Sequence, residues 1–140
     1  MLLKRFSTGA GVLAAAVAFM LATQSSAIAQ TSTGDLENWV GNCDAVVAIS
    51  DDLIGSPGRI EAWGGYSCSN PQKWGGVLRI QIFKGSQKVA DKVANWPLGT
   101  TGHVETSVAN TSGTQAWYAK MIISSTMSQG GTVRTGTIYS

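Results

Sequence analysis

Charge is scarce in this chain: Asp, Glu, Lys and Arg make up 13% of its 140 residues, against 44% hydrophobic. That scarcity excludes a long disordered acidic or basic tail and a coiled coil, both of which need dense charge. The chain has one histidine, three prolines and two cysteines, and its length fits one domain of ordinary size. Its formal charge of +2 resides in Lys4 and Arg5, because the eight acids all lie beyond residue 30 and are matched there by eight bases. A neutral remainder has no general attraction for polyanions, so neither nucleic acid nor an anionic membrane surface is an expected partner.

Catalytic and metal-binding patterns are also missing. There is no G-x-S-x-G elbow for a serine nucleophile and no C-x-x-C pair, and phosphate-cradling and dinucleotide motifs are absent. The lone His103 follows Gly102 at the start of a β-patterned run, where a surface role is expected rather than general-base work. Glu61 and Glu105 would serve a glycosidase only if the fold set them at the required separation. Asp44, Asp51 and Asp52 lack the D-x-[DN]-x-[DN]-G spacing of a calcium loop. The expectation is a protein that is not an enzyme and needs no cofactor or metal.

What is present begins with a leader. Lys4 and Arg5 precede an uncharged apolar run from Gly9 to Ala22, and Ala27-Ile28-Ala29 offers the small residues that a signal peptidase reads. The run falls short of the ~20 residues that span a bilayer. Residues 1–29 are therefore expected to be a secretory signal peptide, with cleavage before Gln30, secretion to the extracellular space and no membrane attachment afterwards. In an exported chain, Cys43 and Cys68 have only each other as partners, so a Cys43–Cys68 disulfide is expected.

Residues 30–42 have no clear hydrophobic period and read as a flexible, extended arm, with Trp39 and Val40 the residues suited to anchor its end. Such an arm could add a strand to a partner's sheet. Residues 43–140 read as one β-sandwich domain, with about seven strands near 44–50, 58–68, 76–84, 87–96, 102–110, 115–127 and 131–140. Lys84-Gly85-Ser86-Gln87, Asn110-Thr111-Ser112-Gly113 and Ser128-Gln129-Gly130-Gly131 supply the turns between antiparallel neighbours. Alternation places Leu78, Ile80 and Ile82 in one inward row, Val104, Thr106 and Val108 in a second, and Trp117, Ala119, Met121 and Ile123 in a third. Trp117 is the expected core anchor.

This layout resembles the small, single-disulfide, immunoglobulin-like β-sandwich proteins that Gram-positive bacteria secrete. The resemblance covers Cys43 to Ser140 and implies an all-β, antiparallel, immunoglobulin-like sandwich. One departure stands out, because antibody-type domains place their cysteines on non-adjacent strands, whereas Cys43 and Cys68 fall at the start of the first run and the end of the second.

Trp63 shares its strand parity with Arg59 and Glu61, opposite the apolar row Ile60, Ala62 and Tyr66, which places it on an outward face. Trp-Gly-Gly occurs at 63–65 and again at 74–76. The expected binding residues are therefore Trp63, Gly64, Gly65, Trp74, Gly75 and Gly76, with glycine admitting close approach to an aromatic contact surface. The competing assignment is that both rings cover the ends of the sandwich, or that a bulge turns them inward.

Charge is also unevenly placed. Residues 30–68 hold six acids and one base, and residues 69–93 hold five bases and one acid. Neutralisation between neighbouring strands is the simpler expectation, and segregated charged surfaces the alternative. The expected function is a secreted binding or adaptor domain recognising an extracellular protein or glycan, including as a subunit of a larger secreted assembly. A self-sufficient antibacterial or inhibitory effector is the alternative, and a small hydrolase ranks last.

Overall fold

The computed structural model describes residues 30–37, 42–52, 58–72, 76–96, 99–125 and 130–140. The expected leader at 1–29, the anchors Trp39 and Val40, and Lys73, Trp74 and Gly75 lie outside the described residues. No helix among the described residues is long and apolar enough to cross a membrane.

Period-two burial builds the strands. Cys43, Ala45, Val47 and Ile49 are buried at alternate positions of one strand, as are Leu78, Ile80 and Ile82, and Trp117, Ala119, Met121 and Ile123, in two others. The elements are β1 (Thr31–Leu36), β2 (Cys43–Ser50), β3 (Arg59–Gln72), β4 (Gly76–Lys84), β5 (Gln87–Trp96), β6 (Gly99–Ala109), β7 (Ala116–Ser125), β8 (Gly131–Arg134) and β9 (Ile138–Tyr139). They form an all-β sandwich of two antiparallel sheets. The first sheet has the order β1-β2-β3-β6; the second has the order β5-β4-β7-β8, with β9 also on β7. The β4–β5 hairpin turns through Gly85 at φ 57°, a conformation that glycine adopts without steric cost.

The two strands beyond the expected seven have separate origins. Thr31–Leu36 pairs with β2 along its whole length, from Thr31 opposite Ser50 to Leu36 opposite Ala45. These residues thus belong to a sheet rather than to an arm outside the sandwich. Their polar composition hides the strand, because one flank of an edge strand needs no apolar row. The expected last strand is interrupted at Thr135. There the Thr135 Oγ1 accepts a hydrogen bond from the Ala119 amide at 3.0 Å and donates to the Gly136 carbonyl at 2.7 Å, so a side chain takes over part of the strand ladder.

The inner faces meet in one core. The second sheet supplies the larger share of its bulk through Leu78, Ile80, Ile82, Trp117, Met121 and Ile123, while the first contributes Tyr66, Val47, Ile49, Ile60, Val104 and the smaller Ala45 and Ala62. Burying each large side chain stabilises the fold by roughly 1.5–3 kcal/mol. Trp117 is the anchor expected of it, 1% exposed, with its Nε1 donating to the Ser140 carbonyl at 3.3 Å. Cys43 and Cys68 are directly opposed in the β2–β3 register and form the disulfide, which therefore staples neighbours within one sheet.

Candidate functional site

The outer face of the first sheet is built by the residues that alternate with the core. Opposed positions run Thr33, Ala48, Trp63, Glu105 across the four strands, and the next row runs Asp35, Val46, Gly65, His103. Trp63 therefore lies outward, as its parity requires, and is half-buried. Its six-membered ring reaches along the strand over Gly65. A Cβ added to Gly65 would stand 3.1 Å from Trp63 Cη2 and 2.8 Å from the Gly102 carbonyl oxygen. Glycine at 65 thus lets the ring and the neighbouring strand settle close to the sheet.

An open groove of about 770 Å³ lies over this position. Trp63, Gly65 and Val46 contribute to its floor, Asp35, Glu37 and Asp44 come from the β1–β2 side, and Thr101 and His103 come from β6. None of its described lining residues is Lys or Arg, so the groove carries net negative charge. An indole beside carboxylates and hydroxyls can contact the apolar face of a sugar or the stem and head of a cationic side chain.

The six residues proposed from the repeated tripeptide separate. Trp63 and Gly65 share the groove. Gly64 points inward, where an added Cβ would stand 2.6 Å from Met121 Sδ, so its small size serves the core. Gly76 opens β4 in the second sheet, opposite Trp96 and Ser125. Trp74 and Gly75 lie outside the described residues.

Of the groups weighed for catalysis or metal binding, Glu61 and Glu105 come to the same outer face on β3 and β6, diagonally related through the pairs Glu61–Ser107 and Trp63–Glu105. Glu61 is buried and Glu105 exposed. Asp44 lies near one end of β2, whereas Asp51 and Asp52 follow its other end, so the strand holds them apart. Among the described residues no group of three or more His, Cys, Asp or Glu side chains is arranged to hold a metal.

Sequence reasoning did not assemble Asp35, Glu37, Asp44, Thr101 and His103 around Trp63. The acidic run at 30–68 was a signal for the first three. The contribution of β6 was not, because it depends on β6 returning to pair with β3 across the intervening β4–β5 hairpin.

No protein-family model matches the chain, and no curated protein matches it in sequence.

Proposed function

We propose that the protein is an exported, non-catalytic binding domain that seats an extracellular protein or glycan in the groove on the outer face of the first sheet. The observation that carries this reading is Trp63, whose ring is held over Gly65 in a sheet face where its neighbours Ala48 and Val46 are small or medium-sized. A large aromatic with short side chains on its β2 side presents contact area at little entropic cost. The Cys43–Cys68 disulfide fits an oxidising compartment, as does the leader pattern at 1–29.

The test is an array of bacterial and host glycans together with cationic and neutral peptides, probed with the wild-type domain and with Trp63→Ala. A specific wild-type signal lost in Trp63→Ala is expected, with the melting temperature lowered by less than about 10 °C because the ring is only half-buried. Equal binding by both proteins would place the site elsewhere, and a wild-type protein that binds nothing on the array would remove the reading.

A further inference from the structure

The outer face of the second sheet is as organised as the groove, which draws on its strands through Asn95 of β5. Phe83 and Tyr118, paired across β4 and β7, stack with ring centroids 4.8 Å apart and planes 1° from parallel. The Arg134 guanidinium lies 3.8 Å from the Tyr118 ring centroid, and Lys120 Nζ lies 5.2 Å from that of Phe83. Those rings hold the two cations in place without neutralising them. Arg79 and Lys88 also belong to this face, and both are paired to Asp91, at 3.5 Å and 2.8 Å. The face therefore sets four cations against one carboxylate among the described residues. The described large hydrophobic residues left exposed, Val93 at 46% and Tyr139 at 58%, lie at its two sides.

The opposite outer face, on the first sheet, has the inverse charge. Asp35, Asp44 and Glu105 are exposed there, with Arg59 the base among its described strand residues. Segregation of the two charge signs follows from topology, because Asp35, Asp44 and Glu105 are carried by β1, β2 and β6 of the first sheet and the four cations by β4, β5, β7 and β8 of the second. Lateral growth by strand addition is disfavoured. β1 lies against β8, with Gly34 packed on the Arg134 carbonyl so closely that no Cβ would fit, and β5 lies beside β6. Of the surfaces the described strands present, the two outer faces remain for self-association.

We propose that the protein stacks on second copies of itself, the cationic aromatic face of one copy seated on the acidic, Trp63-bearing face of the next. This rests on the groove being a binding surface and names one partner for it. A contact between two different faces leaves one of each free at the ends, so it propagates as a linear stack and does not close at a dimer. Four strands spaced about 4.8 Å and some eight residues long offer about 500 Å² per face. The contact would then bury about 1,000 Å² in total, at the lower end of specific interfaces. Association of that size is weak, concentration-dependent and sensitive to salt.

Sedimentation velocity on the disulfide-bonded domain tests this. At about 0.01 M salt, where the Debye length is about 30 Å, average mass should rise with concentration; at about 1 M, where it is about 3 Å, the protein should sediment as a monomer. The pair Lys120→Glu with Arg134→Glu should be monomeric at low salt, and so should Asp35→Lys with Asp44→Lys. An equimolar mixture of the two variants should associate again, since one then carries two acidic faces and the other two basic ones. A wild-type protein monomeric at low salt, or a mixture that stays monomeric, overturns the stacking. A wild-type monomer that binds heparin through Arg134 and Lys120 also overturns it, assigning the face to a polyanion. In each case the array with Trp63→Ala reports separately on the groove.

Discussion

The two sheets divide the work of the molecule. The second carries the heavy part of the core on its inner face, with Trp117, Leu78, Met121 and four isoleucines, and its outer face is tied together by Asp91 and the stacked Phe83–Tyr118 pair. The first has alanines at 45 and 62 and a glycine at 64 on its inner face, and it holds the disulfide. A sheet that buries less apolar volume gains less from packing, and the covalent link offsets part of that difference by restricting the unfolded chain. The groove stands on the covalently stapled sheet, where Trp63 and Gly65 serve the surface.

The largest break in this division should come from Trp117→Ala. Removing the buried indole should cost roughly 3–5 kcal/mol, a large share of the 5–15 kcal/mol typical of a domain. Urea unfolding measures it, and a loss below about 1 kcal/mol would mean that the second sheet does not carry the core. Reduction of Cys43–Cys68 should come next, costing about 3.5 kcal/mol by loop-closure entropy. Hydrogen exchange of the reduced protein sharpens the contrast: the β2 and β3 amides should lose protection before those of β4 and β7. Equal loss in both sheets would show that the staple serves the whole fold alike.

The smallest effect concerns Asp91. The hydrogen bond from Lys88 chiefly holds its carboxyl below the ordinary value of 3.8, helped by Gln81 and Arg79 against a partial desolvation penalty. A lowered folded-state pKa contributes stability above the unfolded value, and that contribution is lost as pH falls below 3.8 through the lowered one. Since the carboxylate stays in contact with solvent at the surface, Asp91→Asn should cost at most about 0.5 kcal/mol at neutral pH. Unfolding of wild type and variant should converge in acid, and a difference that widens on acidification would reverse the assignment.

Much of the fold was legible because burial at alternate positions is local. The β4 and β5 bounds and the row from Trp117 to Ile123 follow from side chains two residues apart, and the outward parity of Trp63 follows from the same rule. β1 was not legible, since Thr31 to Leu36 has no buried apolar row and owes its structure to the exposed ladder of β2. The repeated Trp-Gly-Gly gave a partial guide to the site. Adjacent glycines in a strand face opposite ways, so Gly64 meets Met121 while Gly65 lies under the indole.

The amino-acid order by itself determined where the strands with a buried apolar row form, which of their side chains share a face, and that Cys43 has Cys68 as its partner, because these depend on alternation along the chain and on the count of thiols. It also contained the separation of acidic from basic segments. Only the tertiary structure decided what that separation means. The expected neutralisation between neighbouring strands is seen in Arg79 of β4 with Asp91 of β5, which Lys88 joins from within β5. Asp35, Asp44 and Glu105 lie on one outer face and Lys120 and Arg134 on the other because strand pairing is non-local: β6 returns to β3 and β7 to β4, which places their strands in different sheets.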